Sequence, residues 1–214
     1  MIFPADPAGV DLAAACLRGG GVIAIPTDTV FGLAVAAEGS RPAARLAAIK
    51  GRPLGQPAIL MAASLADLQP YVRWSGGALG FAERHWPGPL TLIVAATARG
   101  RRLGGPGTIG IRVPDLAIVQ GLLARAGPCA TTSANRHGEP PLPDAAAALR
   151  ALPLLHGALR APAGRRGTAA ASSILDCTGQ RPVLVRVGAL DAGALGLADT
   201  GRAGVGRGGT TGSG

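Results

Sequence analysis

Short apolar runs alternate with helix-like segments along almost the whole chain, and that alternation predicts an α/β fold: one domain built on a twisted sheet of mixed strand directions, open at its edges and covered by helices. Three observations carry it. Runs such as "VIAI", "AILMAA", "LTLIVAA" and "TIGIRV" have strand length and are bounded by Gly, Pro or polar residues. The segments between them open on cap residues and repeat their apolar positions every three or four residues. At 214 residues, 48% hydrophobic and 15% charged, the chain is long and apolar enough to bury a substantial core.

Asp6-Pro7 supplies an N-cap and a proline at the first helical position. Val10, Ala13, Ala14 and Leu17 follow at helical spacing up to a Gly19-Gly20-Gly21 stop. Strand 22–25 comes next, is interrupted by Pro26-Thr27-Asp28-Thr29, and gives way to an apolar run from Leu33. Ser40 is the expected cap of a second helix ending near Lys50. Residues 58–63 read as a buried strand, and Ser64 with Asp67 as a capping box opening another helix. The segment "GGALGFAERHWPGPLTLIVAA" gives a helix, a Pro-Gly-Pro turn and a strand over 90–96, then come the basic connection "RGRRLGGPG" and an alternating strand, "TIGIRVP". Asp115 is expected to start a helix that reaches about Ala126. "PCATTSA" is a strand, "NRHGEPPLP" a loop, "DAAAALRAL" a helix, and the Arg-rich stretch after it has no clear period. Strands "SSILDC" and "PVLVRV" close the pattern. The domain is therefore expected to span 1–198, with the glycine-rich residues 199–214 as a disordered tail.

Composition narrows the function. A formal charge of +9, from 21 Lys+Arg against 12 Asp+Glu, favours polyanionic partners such as nucleotides, pyrophosphate or RNA. Cys16, Cys129 and Cys177 are scattered and make no Cys-x-x-Cys pair, as in a reducing compartment. The N-terminus lacks a basic region followed by an apolar one, and no apolar run is long enough to span a bilayer, so the expected location is cytoplasmic, without a membrane partner. No Walker phosphate loop, dinucleotide fingerprint or Gly-x-Ser-x-Gly elbow is present. His85, His137 and His156 form no metal-spaced cluster.

Several polar groups stand at strand ends. Pro53 forces Arg52 into extended backbone, where Lys50 and Arg52 point the same way. That arrangement suits a triphosphate, and equally a solvated basic helix end. Thr131, Thr132, Ser133 and Asn135 follow a strand start, where ligands bind in α/β sheets or where side chains merely close turns. Thr108 and Arg112 share one face of a strand. A buried Arg112 requires an anionic partner, either a bound carboxylate or phosphate or an acidic side chain. Ser172, Ser173 and Arg186 repeat the theme. Cations and small hydroxyls without a nucleophile are what nucleotidyl transfer needs, because the acceptor brings its own oxygen.

In order, "GGVIAIPTDTVFGLA", "IKGRPLGQPAIL", "HWPGPLTLIV", "TIGIRVPD", "CATTSANRHGEPP", "ASSILDC" and "LVRVG" resemble the YrdC-like family, whose members include threonylcarbamoyl-AMP synthases. The resemblance implies a large basic cavity and a reaction of L-threonine, bicarbonate and ATP, with Mg²⁺, giving threonylcarbamoyl-AMP and pyrophosphate for tRNA modification. It implies that Lys50, Arg52, Ser133 and Asn135 surround the nucleotide as the catalytic set, with Thr108, Thr132 and Arg186 also on ATP. It places Thr27, Ile59, Arg112 and Ser172 on threonine, and assigns no metal ligand from protein side chains. tRNA and tRNA-modification proteins are the expected macromolecular partners. Two other readings are an RNA-binding module without catalysis and a paralogue transferring carbamoyl-type groups to another small molecule. The family's usual second lysine is replaced within Leu54-Gly55-Gln56-Pro57, its acidic-Gly-Gly turn by a longer Arg-rich segment, and its "LRPG" by "VRVG".

Overall fold

Asp6 caps the first helix as its sequence predicts: its carboxylate accepts the Gly9 N–H at 2.8 Å, and Pro7 opens the helix. The structure, a computed structural model, describes residues 1–51, 53, 57–103, 105–164 and 170–197. Arg52, Leu54–Gln56 and the expected tail from 199 lie outside the described residues. In chain order the elements are β1 (Ile2–Phe3), α1 (Pro7–Arg18), β2 (Ile23–Ile25), β3 (Gly32–Ala36), α2 (Pro42–Lys50), β4 (Ile59–Met61), α3 (Leu65–Leu68) and β5 (Val72–Arg73). They continue with α4 (Gly76–His85), β6 (Leu90–Ala96), β7 (Thr108–Arg112), α5 (Ala117–Ala126), β8 (Cys129–Ser133), α6 (Ala145–Ala151), β9 (Gly157–Leu159), β10 (Ser173–Asp176) and β11 (Val183–Arg186).

Among the described residues the strands form one sheet in the order β1-β9-β2-β3-β8-β4-β7-β6-β10-β11, with β5 added on β6. Directions are mixed, as expected: β4 runs parallel to β7 and β6 to β10, whereas β3, β8 and β4 alternate. Each face buries its own core. On one face, Val10, Ala13, Ala14 and Leu17 of α1 and Val119, Leu122 and Leu123 of α5 pack over Ile23, Ile25, Ala34 and Met61. On the other, α2, α4 and α6 cover the alternate residues, including Leu33, Leu60, Leu92, Ile111 and Leu175. The cluster under α1 and α5 takes no residue from β6, β7, β10 or β11. That end of the face is where Arg112 and its neighbours lie. No helix among the described residues is long and apolar enough to cross a membrane.

Two helix starts differ from expectation. α2 begins at Pro42, not after a Ser40 cap; Pro42 bars Arg41 from the right-handed helical region, and the chain enters through left-handed backbone at φ 48°. α5 begins two residues after Asp115, with Leu116 at the cap and the Gln120 amide donating to the Pro114 carbonyl at 2.9 Å. The Arg-rich stretch without a period contains β9, which the sequence conceals. Its three residues are held by pairing on both sides, Ala158 lying opposite Ile2 and Ala24. Gly157 is needed there, since a Cβ would stand 2.5 Å from the Phe3 ring.

Candidate active site

The polar interruption after β2 is a closed turn. Thr27 Oγ1 donates to the Val30 carbonyl at 2.6 Å and accepts the Thr29 N–H at 3.1 Å. The single Thr27 hydroxyl hydrogen is spent on Val30, so the Thr29 hydroxyl is the donor in its 3.0 Å bond to Thr27, while it accepts from Arg112 Nη1 at 2.9 Å. A relay thus runs from guanidinium through two hydroxyls to a backbone oxygen. The Thr27 hydroxyl is fully used by it, which leaves the methyl and backbone of Thr27 to meet a ligand.

Arg112 ends β7 and is 2% exposed. Its Nη2 pairs with Asp28 Oδ1 at 2.7 Å, and its Nε donates to the Gly88 carbonyl at 2.9 Å. The acidic partner left open by the sequence is therefore Asp28, from the same turn. A guanidinium has five N–H donors, so one on each terminal nitrogen remains beyond these bonds. Burial works against the Arg112 charge, Asp28 supports it and nearby Arg186 opposes it; the balance lowers its pKa from the ordinary value. Arg186 reaches back from β11 to grip the Ser172 carbonyl through Nε at 3.0 Å and Nη2 at 2.8 Å. Its pKa is likewise lowered, by burial. The Ser172 hydroxyl bonds Thr91 Oγ1 at 2.8 Å.

A second cluster forms where α2 ends against β8. Lys50 is 5% exposed, and its ammonium donates to the Ser133 carbonyl at 2.7 Å, Asn135 Oδ1 at 2.5 Å and Ser133 Oγ at 3.3 Å. Ser133 Oγ also donates to Asn135 Oδ1 at 2.6 Å. Asn135 is fixed in turn by its Nδ2 donating to the Arg136 and Glu139 carbonyls. Lys50 is the only lysine in the chain; every other one of its 21 Lys+Arg is arginine. A compact ammonium on a slender stem fits this buried point, whereas a planar guanidinium would not.

Both clusters open on one cavity of about 140 Å³, whose lining includes Thr27, Ile59, Arg112, Ser133, Ser172 and Arg186. At liquid density that is room for roughly five waters, the scale of a small amino acid. Thr132 also lines the cavity, and Lys50 and Asn135 join it through Ser133. Thr108 lies further along β7, outside that lining. Thr29 lines the cavity as part of the polar turn, whereas Val30, Met61 and Thr91 were not singled out from the sequence as site residues. For Thr91 a signal existed: a lone hydroxyl within the apolar run "PLTLIVAA". A larger depression of about 650 Å³ at the β1 edge is lined by Ile2, Asp144, Arg160 and small residues. It gathers none of the candidate residues, so the chemistry is assigned to the smaller cavity.

The Sua5_yciO_yrdC family model, described as "Telomere recombination", matches residues 15–188. The chain belongs to the Sua5/YciO/YrdC family. The threonylcarbamoyl-AMP synthase of Chromohalobacter salexigens is 39% identical over 158 residues, 69% of this chain and 84% of that protein. P. abyssi Sua5, solved in complex with L-threonine, superposes with a TM-score of 0.81 at 30% identity over 88% of this chain. The chain spans 57% of that protein's length. E. coli YciO superposes with a TM-score of 0.79 at 27% identity, covering 91% of this chain and 98% of the other. The single sheet with helices on both faces is thus the Sua5/YciO/YrdC fold, and the family expected from the ordered motifs is the one found.

Proposed function

We propose that this protein is an L-threonylcarbamoyladenylate synthase, condensing L-threonine, bicarbonate and ATP to threonylcarbamoyl-AMP and pyrophosphate. The observation that carries the reading is one amino-acid-sized cavity lined by Arg112, Arg186 and Ser172 at one side and at the other by Ser133, behind which lies the Lys50 ammonium bonded to it. The names of the relatives favour a synthase over an RNA-binding module without catalysis.

The remaining Arg112 donors take the threonine carboxylate, with Ser172 beside it. The Thr27–Val30 turn forms one wall and Ile59 another. The amine adds to carbon dioxide from bicarbonate, giving a carbamate with loss of water. A carbamate oxygen then attacks the α-phosphorus, and the bond to pyrophosphate breaks. Lys50, held by Ser133 and Asn135, offsets charge on the phosphates and fixes their position, so that electrostatic stabilisation and alignment supply the rate. Arg52, which lies outside the described residues, is assigned the same role, and Thr108 and Thr132 attend the nucleotide. Enclosure limits water at the labile carbamate. Among the described residues no group of three His, Cys, Asp or Glu converges. Mg²⁺ would enter carried on the triphosphate and would screen phosphate charge there. The labile product is consumed by a threonylcarbamoyl transfer to tRNA adenosine, for which tRNA-modification proteins are the partners; the domain needed is 1–198.

Pyrophosphate release tests the proposal. The folded protein with ATP and Mg²⁺ is expected to release pyrophosphate only when threonine and bicarbonate are both present. Equal release without threonine would overturn it.

A further inference from the structure

Ser172 and Ser173 are neighbours at the start of β10, and their hydroxyls serve different ends. Ser172 lines the cavity together with Ala171 and Arg186. Ser173 is fully buried, outside that lining, and spends its hydroxyl on the chain that follows Arg186. Its Oγ accepts the Gly188 N–H at 3.0 Å and the Leu190 N–H at 2.9 Å, and donates to the Leu190 carbonyl. One donor and two acceptor sites are all that a hydroxyl has. The Ala189 N–H adds a bond to the Ala171 carbonyl at 3.0 Å. Only glycine permits this approach at 188: a Cβ there would stand 2.2 Å from the Ala171 oxygen and 2.6 Å from the Ser172 carbonyl carbon. Leu190 then packs against the core that α2, α4 and α6 cover.

Arg186 stands on a strand that cannot hold it unaided. Among the described residues β11 ends the sheet and pairs with β10 alone. Its register slips there: Leu184 lies opposite Leu175 and Arg186 opposite Ile174, so Val185 is the extra residue of a bulge. A bulge re-aims the side chain beside it. Val183, Val185 and Val187 are exposed, so little packing keeps that aim, and such edges open readily. The side chain of Arg186 grips the Ser172 carbonyl, and two residues later its strand is tied to the Ser173 hydroxyl. An alanine at 173 would fill the core equally well but would fix nothing. We propose that Ser173 is a positioning residue whose hydroxyl, through Gly188 and Leu190, fixes the bulged end of β11 and so the place of the Arg186 guanidinium in the cavity. The proposal rests on the synthase reading above and deepens it.

A double-mutant cycle tests it, on proteins shown by circular dichroism to be folded. Ser173→Ala is expected to lower kcat/KM for pyrophosphate release by about 10- to 100-fold, the scale of a misplaced binding group. Arg186→Met should lose at least as much, and the double variant no more than Arg186→Met alone, because Ser173 acts through that arginine. Losses that multiply, or wild-type kcat/KM in Ser173→Ala, would overturn the proposal. Proton exchange at Arg186 Nε, followed by NMR and assigned by its absence from Arg186→Met, reads the position without the chemistry. It should be slow in wild type and about tenfold or more faster in Ser173→Ala. Fast exchange already in wild type, or an unchanged rate in Ser173→Ala, would also overturn it. Should wild type release no pyrophosphate with threonine, the synthase reading fails, and the exchange rates alone decide the positioning. If Ser173→Ala does not fold, Ser173→Cys, whose thiol is a weak hydrogen-bonding partner, replaces it in both measurements under the same criteria.

Discussion

Arg112→Met is expected to lower stability by about 3–5 kcal/mol, because it breaks a largely buried ion pair, Arg112 Nη2 to Asp28 Oδ1 at 2.7 Å, by removing one member. The same change removes the donor to Thr29 and so opens the relay that holds the Thr27–Val30 turn. Asp28→Asn on its own should also destabilise, since it leaves the guanidinium buried and uncompensated. The double variant Asp28→Asn/Arg112→Met should recover part of the loss, because neither buried charge remains. Urea unfolding of the four proteins measures this coupling. Additive losses, or an Arg112→Met variant within about 1 kcal/mol of wild type, would show that the pair does not hold the turn. Threonine binding should vanish in both variants lacking Arg112, including the one whose stability is partly restored. That separates the arginine's role in the fold from its role in the site.

Lys50→Ala should reduce pyrophosphate release by about 10²–10³-fold, the scale of removing one preorganised charge-stabilising donor. Ser133 Oγ and Asn135 Oδ1 keep their own bond in that variant, and Asn135 stays anchored to the Arg136 and Glu139 carbonyls, so the loop after β8 is expected to hold its shape. Lys50→Arg should be nearly as inactive. A guanidinium cannot place its charge where three oxygens converge on a single nitrogen within 3.3 Å. Activity near wild type in Lys50→Arg would mean that charge alone, without position, suffices.

Much of this was legible in the sequence. Cap residues located α1 and α3, because Asp6 and Ser64 bond their own helix N-termini and the signal is local. The strands carrying the site were legible from their apolar runs, and Ser133 with Asn135 from two polar residues at a strand end. What stayed hidden depends on distance along the chain. β9 has three residues and exists because β1 and β2 pair with it. The choice between an acidic partner and a ligand for Arg112 was open because Asp28 lies 84 residues away. The saturation of the Thr27 hydroxyl could not be read from spacing, since it follows from the exact closure of a turn on Val30. Lys50 had a stronger signal than the motif around it: in a chain that otherwise uses only arginine, one lysine marks a place where arginine does not fit.

In the proposed reaction one cavity joins threonine, bicarbonate-derived carbon and the α-phosphate of ATP. The measurement that tests it most directly is mass spectrometry of the reaction run with carbon-13-labelled bicarbonate. An adenylate carrying the label and a threonyl moiety, formed in equal amount with pyrophosphate and absent when threonine is withheld, is the predicted result. ATP breakdown by the folded protein without a labelled adenylate would contradict the account.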